Sequence, residues 1–244
     1  MPPASDLSNY PRPSVAVDVV LLTVDATTDN DSGPRLRVLV QQRRRSPRGL
    51  VLPGRFLREH ETFADAVAAT LTEKVGLDIG DAEPRLLTMY DDPARDGRTW
   101  ALSALHVLAL PHAGLGGANG ELLPVGSDGH LTDDQHLQFD HDDMLAKAVR
   151  RMRDHYEASP DPYRLLGDSF TLGQLRDLHE GVLGELLLKD TFNRRMKQYL
   201  TEKLVKGEPV REAETGGRPA LVYKRAKDGE LSERERRRLL LPRR

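Results

Sequence analysis

The sequence predicts an α+β chain in two parts, a sheet-and-helix sandwich followed by a smaller helical unit that closes on a β-hairpin. Up to Leu110, β-branched apolar runs and one helix-period segment follow in the order strand, strand, helix, strand, strand. A proline-rich break, Ser159-Pro160-Asp161-Pro162, then interrupts the pattern. Past the break the charge balance reverses. From Tyr163 onward there are 19 Lys+Arg against 13 Asp+Glu, whereas the preceding residues hold 17 against 25. Segregation of this kind favours a basic module that meets phosphate, although the tail from Arg234 to Arg244 carries part of the excess. The expected divisions are a disordered arm over residues 1–14, a sandwich domain over 15–158, a second domain over 163–226 and a charged tail over 227–244.

At 244 residues the chain has room for two modest domains. Hydrophobic residues make up 38% and charged residues 30%. No apolar run approaches the roughly 20 residues that a membrane span needs, so no membrane partner is expected. Pro2, Pro3, Pro11 and Pro13 lie among polar residues, without the basic and apolar regions of a signal peptide. With no cysteine there are no disulfides, thiolate zinc sites or thiol nucleophiles, and a cytoplasmic location is the default expectation.

Val15 to Val24 (VAVDVVLLTV) and Arg35 to Gln42 read as strands around an Asp/Ser/Gly/Pro turn region. Pro53-Gly54 follows a short apolar stretch, Leu50 to Leu52. Phe63, Val67 and Leu71 recur every four residues between Thr62 and Gly76, which predicts a helix closed by a glycine cap. Strands are expected over Arg85 to Tyr90 and Thr99 to Leu110, then a glycine-rich loop from Gly114 to Gly120 and a helix from Asp143 to His155. In the second part, Thr171-Leu-Gly-Gln174 has capping-box spacing and opens a helix whose Leu172, Leu175, His179 and Val182 share a face, ending near Gly184. Asp190 is expected to cap another helix through about Leu204, and Leu221 to Tyr223 reads as the return strand of a hairpin. No internal repeat is visible.

Residues Pro53 to Leu77 resemble the Nudix box, in which a glycine turn leads into a helix of pattern Arg-Glu-apolar-X-Glu-Glu-X-Gly. Enzymes with that box hydrolyse nucleoside diphosphates linked to another group, and hard divalent cations require several carboxylate oxygens on one helical face. Gly54, Glu61, Glu73, Gly76 and Leu77 fall in register. The departures are specific. Arg55 stands at the second turn glycine, Ala69-Thr70 replace Arg-Glu, and Lys74 replaces the second glutamate of the pair. On the helix only Glu73 remains of the magnesium carboxylates, and a lysine ammonium beside it opposes a metal by like-charge repulsion. Weak or absent pyrophosphatase activity is therefore expected, with no catalytic residue, metal ligand or required cofactor assigned. An unrelated turn and amphipathic helix is the plainer alternative.

A helix that reads DNA docks by one apolar face and presents a cationic face to the major groove. From Thr191 to Thr201, Phe192, Met196, Tyr199 and Leu200 lie on one side, with Asn193, Arg194, Lys197 and Thr201 opposite and Arg195 and Gln198 on the flanks. Thr191, Asn193, Arg194, Arg195 and Lys197 are the candidate contacts. The turn Gly216-Gly217-Arg218-Pro219, with Lys224 and Arg225 beyond it, has the composition of a wing in which Arg218 and Lys224 reach phosphates or a minor groove. A solvated charged face and an ordinary β-turn are the plainer readings of the same residues. Together the two features give a winged helix-turn-helix after an α/β/α Nudix-like sandwich.

That order is similar to the Nudix-related transcriptional regulators of NAD metabolism, the NrtR family. The resemblance also rests on the runs Phe170-Thr171-Leu172, Thr191 to Met196, Gly217 to Ala220, Tyr90 to Asp96 (YDDPARD) and Leu137 to His141 (LQFDH). It covers Val15 to Arg225. It implies a homodimeric repressor on a near-palindromic operator in double-stranded DNA, at NAD biosynthesis or salvage genes. It further implies a cleft that senses ADP-ribose or a related NAD-derived nucleotide. For such a ligand Arg55 and Lys74 are the leading cationic contacts, with Glu73, Glu61, Arg43 and Arg95 as further candidates. A surface position is the simpler expectation for Arg43 and Arg95. The alternative function is a metal-dependent Nudix hydrolase acting on ADP-ribose or a dinucleotide.

Overall fold

The computed structural model describes residues 10–25, 33–80, 82–213 and 219–226. Residues 1–9 of the expected arm, and the expected tail, lie outside them.

The run that reads as one long apolar strand forms β1 (Ser14–Asp25), and both of its faces are covered. Val17, Val19 and Leu21 pack with Ala66, Val67, Leu71 and Val75 on one side. Val20, Leu22 and Val24 pack with Met144, Leu145, Val149 and Met152 on the other. Burial on both sides removes the alternation that a half-exposed strand would show. Around β1 run β2 (Arg35–Arg43), β3 (Gly49–Val51), β4 (Gly54–Phe56), β5 (Arg85–Tyr90), β6 (Ala101–Ala109) and β7 (Glu121–Pro124). The sheet order is β3-β2-β1-β6-β5, with β4 also on β1 and β7 also on β2. Only the central pair β1–β6 is parallel among these ladders. Helix α1 (Phe63–Ala69) covers one face and α2 (His141–Ala158) the other, which makes the predicted three-layer α/β/α sandwich.

Thr62 opens α1 with a capping box, accepting from the Asp65 N–H while the Asp65 carboxylate accepts from its own. The helix was expected to run regularly to Gly76. Instead Thr70–Val75 forms a π-helical turn before Gly76 ends it at φ 73°. The Thr70 and Thr72 hydroxyls donate to the Ala66 and Ala68 carbonyls and so compete with the backbone N–H groups there. A widened turn is the usual outcome of such competition, and it often marks a functional segment.

The second part starts at β8 (Phe170–Thr171) and α3 (Leu172–Leu183), whose Thr171/Gln174 capping box and Gly184 C-cap match the sequence expectation. Helix α4 (Lys189–Met196) is shorter than expected. A 3-10 turn, Lys197–Tyr199, ends it, and Leu200–Glu202 leaves as strand β9 because it pairs with β13 (Ala220–Arg225). Asp190 lies in the first turn rather than at the cap, which is Leu188. Between them lie β10 (Leu204–Val205), β11 (Glu208–Pro209) and β12 (Arg211–Glu212). The β10–β11 hairpin, which the sequence reading missed, turns on Lys206 and Gly207, both at positive φ as a two-residue hairpin turn requires.

Phe170, Leu175, Phe192, Met196 and Tyr199 form the small core of this unit. Leu178 and Val182 of α3, however, belong to the α2-side core of the sandwich. Gly181 permits that docking, since a Cβ there would stand 2.7 Å from a Val24 methyl and 3.1 Å from Pro34. Ser159 to Pro162, the proline-rich break between the two parts, is packed: Pro160 and Asp161 are buried. No helix among the described residues is long and apolar enough to cross a membrane.

Candidate ligand cleft and nucleic-acid interface

β4 lies against the start of β1, with Gly54 opposite Asp18. A Cβ on Gly54 would collide with the Asp18 carboxylate, so only glycine fits this turn. The close approach opens a cleft of about 500 Å³ between β1, the β2–β3 loop, β4, the π turn and the start of α2. Six cationic side chains line it, Arg43, Arg45, Arg55, Lys74, Arg95 and Arg98, against the carboxylates Asp18 and Asp96. Arg43 and Arg95 are thus cleft residues rather than surface charges. Glu61 and Glu73 are not in the lining.

Most of these cations are held by protein groups. Arg95 chelates Asp140 through Nε and Nη2, each at 2.8 Å, and lies 3.6 Å from Asp18. Arg98 grips Asp96 at 2.8 and 2.6 Å, and Arg43 donates to the Pro47 and Ser46 carbonyls. The guanidinium groups of Arg43 and Arg98 lie 5.7 and 5.1 Å from the Phe139 ring centre, on a residue at φ 63°. Arg55 differs. Its side chain is only 8% exposed, Nη2 donates to Glu61 at 3.0 Å, and Nη1 is buried with no acceptor among the described residues. A buried guanidinium donor without a partner costs about 1–3 kcal/mol or more, and an incoming anion would remove that cost. Lys74 donates to the Gly54 carbonyl. Partial burial lowers its pKa, Asp18 opposes the shift, and Arg55 and Arg43 add to it.

The carboxylates that the Nudix pattern would offer a metal are engaged elsewhere. Glu61 accepts from the Arg58 N–H at 2.7 Å and from Arg55, and these bonds, the Arg58 one foremost, hold its pKa below the ordinary value. Glu73 is exposed and pairs with Arg58 at 3.3 Å. No group of three or more His, Asp or Glu converges as a metal site among the described residues. With Lys74 in the lining and Glu73 outside it, the donor set does not fit a divalent cation.

The sequence reading missed Asp18, Phe139, Asp140 and His141. Asp18 is buried, accepts from Ser103 at 2.6 Å and faces Arg95 and His141. Its signal was visible, as the one charge inside VAVDVVLLTV. His141 accepts the Leu52 N–H at Nδ1, 2.9 Å, so Nε2 carries the proton and points toward Asp18 at 3.6 Å. The segments YDDPARD and LQFDH, singled out only by resemblance, supply Arg95, Asp96, Phe139, Asp140 and His141 to this one place.

On the other unit, α4 buries Phe192 and Met196, and Tyr199 follows them into the core. Arg194, Lys197 and Gln198 are exposed, while Thr191, Asn193 and Arg195 are half-buried. Thr201, expected on the same helical face, is on β9 instead. Lys224 is exposed on β13, the strand shared by β8, β9 and β12. Arg218 lies outside the described residues. A short helix with a cationic outer face beside a small four-stranded sheet has the form of a groove-reading module.

Comparison with known proteins agrees with both halves. Residues 162–224 match the model of the NrtR DNA-binding winged helix domain. The ADPR responsive transcriptional repressor NtrR of Acinetobacter baylyi is 28% identical over 225 residues, covering 89% of this chain and 84% of the relative. Shewanella oneidensis NrtR, solved with a 27mer DNA, superposes with a TM-score of 0.65 at 26% identity, over 87% of this chain and 93% of that one. A MutT/nudix family protein from Enterococcus faecalis has the same fold, with a TM-score of 0.70, 24% identity and coverage of 91% and 89%. The chain therefore has the fold order of these proteins, a Nudix fold followed by a unit that over residues 162–224 matches the NrtR winged helix model.

Proposed function

We propose that this protein is a DNA-binding transcriptional repressor of NAD biosynthesis or salvage genes that senses ADP-ribose or a related NAD-derived nucleotide in its Nudix cleft. The observation that carries the reading is Arg55, a buried guanidinium with a free donor in a cation-lined cleft, in a chain that also bears a winged helix. Arg55 and Lys74 stand where a hydrolase keeps a turn glycine and a metal-binding glutamate. They supply to a pyrophosphate the positive charge that a metal would bring, without generating a nucleophilic water. Arg43 and Arg95 complete the anion contacts, and no catalytic residue is assigned.

On DNA, Asn193, Arg194 and Lys197 contact base edges or phosphates, Thr191 and Arg195 flank them, and Lys224 and Arg218 serve the wing. The protein acts as a homodimer on a near-palindromic operator, with recognition helices roughly 34–36 Å apart. The nucleotide works only through different affinities for the dimer on and off DNA. The ligand-sensing domain spans 15–158 and the DNA-binding domain 163–226. Such a protein works in the cytoplasm.

The test is a binding assay on DNA upstream of the protein's own gene and its neighbours, with and without ADP-ribose. Saturable binding that ADP-ribose shifts is expected. Failure to bind any such DNA, or efficient release of AMP and ribose 5-phosphate with magnesium or manganese, overturns the reading.

A further inference from the structure

Helix α2 joins the two sites physically. Its first residue, His141, and the preceding Asp140 lie at the cleft, Asp140 in the grip of Arg95. Eighteen residues long, roughly 27 Å along its axis, it ends where the DNA-binding half packs against the sandwich. There Tyr156 is fully buried and makes two connections. Its hydroxyl donates to Asp161 at 2.9 Å, and Asp161 also accepts from the Leu165 and Leu166 N–H groups and from Arg225 of β13 at 2.8 Å. Its ring meets His179 of α3 edge to face, with centres 5.0 Å apart at 79°. His179 in turn meets Phe192 of α4 at 5.2 Å and 70°. Phe192 immediately precedes Asn193 and Arg194.

His179 is out of place as plain core. It is fully buried, and neither ring nitrogen has a partner among the described residues. Burial holds its pKa down to about 3, so the ring is neutral and its one N–H is left without an acceptor. A phenyl ring would fill similar space without that penalty. A second packing of the junction in which the ring finds a partner would remove that penalty.

We infer that the Tyr156–His179–Phe192 stack is a two-state joint through which the cleft sets the position of α4. An anionic ligand that draws Arg95 from Asp140 releases the start of α2, and movement of the far end repacks the stack beneath the DNA-facing helix. The inference rests on the proposed function, since it needs both a ligand and an operator. Packed elements with two discrete arrangements are what carry such coupling, and both sites must bias the same element.

The experiment uses full-length protein and compares wild type, His179→Phe and Asp140→Asn. Operator affinity is measured without and with saturating ADP-ribose, ADP-ribose affinity without DNA, and melting temperature alone. His179→Phe is expected to melt roughly 2–4 °C higher. It should bind free ADP-ribose within about twofold of wild type, while the ligand-induced change in operator affinity falls to less than about a third of the wild-type value. Asp140→Asn, without ligand, is expected to move operator affinity in the direction that ADP-ribose moves the wild type. A purely structural His179 would give the higher melting temperature with the ligand effect intact, and that result overturns the joint. A wild type whose operator affinity ignores ADP-ribose overturns the function itself, and is recognised before any variant is read.

Discussion

The cleft and the α4 face are both cationic, yet they hold their charge in opposite ways. In the cleft each arginine except Arg45 is fixed by a named partner: Arg95 by Asp140, Arg98 by Asp96, Arg55 by Glu61 and Arg43 by loop carbonyls. At the end of α4, the side chains of Arg194 and Lys197 are exposed and make no bond or ion pair with any described residue. A small anion gains from cations already in position, and taking one from its carboxylate necessarily disturbs whatever that carboxylate supports. A DNA backbone is long and regular, and free side chains that release counterions suffice for it. The first arrangement suits a switch and the second a grip.

The largest expected effect falls on the residue that ties the two regions together. Asp161→Ala removes a fully buried carboxylate from mostly buried Arg225 and from the Tyr156 hydroxyl, and should lower stability by about 3–5 kcal/mol. Thermal or urea melting checks it, and a loss below about 1 kcal/mol would show the two regions to be independently held. Next, Arg55→Ala removes one or two charge-assisted bonds to the ligand, so ADP-ribose affinity should fall by about 10- to 100-fold. Operator affinity of the ligand-free variant should stay as it was, and an equal loss there would erase the distinction between the regions.

A third test uses proton linkage at the junction. Unfolded His179 takes up a proton near pH 6.5, whereas the folded ring stays neutral down to about 3. The unfolded state therefore binds more protons as pH falls below 6.5, and stability declines through that window. At pH 5.5 the loss amounts to about 1.4 kcal/mol. The drop in melting temperature between pH 7.5 and 5.5 should be smaller in His179→Phe, with His106 and His155 present in both proteins. The smallest effect is on the open face. Arg194→Ala should weaken operator binding about tenfold. Lys197→Ala should reduce the slope of log affinity against log salt by about 0.9 if it meets one phosphate. Operator titrations at several salt concentrations report both, and an unchanged affinity for Arg194→Ala would remove α4 from the interface.

The same contrast explains what was legible in the sequence. The α4 face is local, so Phe192 and Met196 against Arg194 and Lys197 can be read from helical spacing alone. The capping box at Thr171 and the glycine stop at Gly184 are local too. The overrun of α4 into Leu204 was not avoidable by periodicity, because pairing of Leu200–Glu202 with β13 decides it. The cleft is assembled from distant segments. Asp18 meets Ser103 across 85 residues and Leu52 meets His141 across 89, so no spacing rule brings them together. Arg55 and Lys74 were found because they break a known local pattern. Asp140 and Asp161 were not, since an aspartate in a turn looks like solvent-facing punctuation until its partners are in place.

Gly181 bears on how the protein can be taken apart. Because α3 lies directly on β1 and the loop before β2, the helix that opens the DNA-binding half also roofs part of the sandwich. Cutting the chain near residue 162 would strip Leu178 and Val182 of their cover on one fragment and expose Val24 on the other. Either piece alone would carry a sticky apolar stripe, and a chimera that grafts this reader onto another sensor would have to bring along a matching sheet surface.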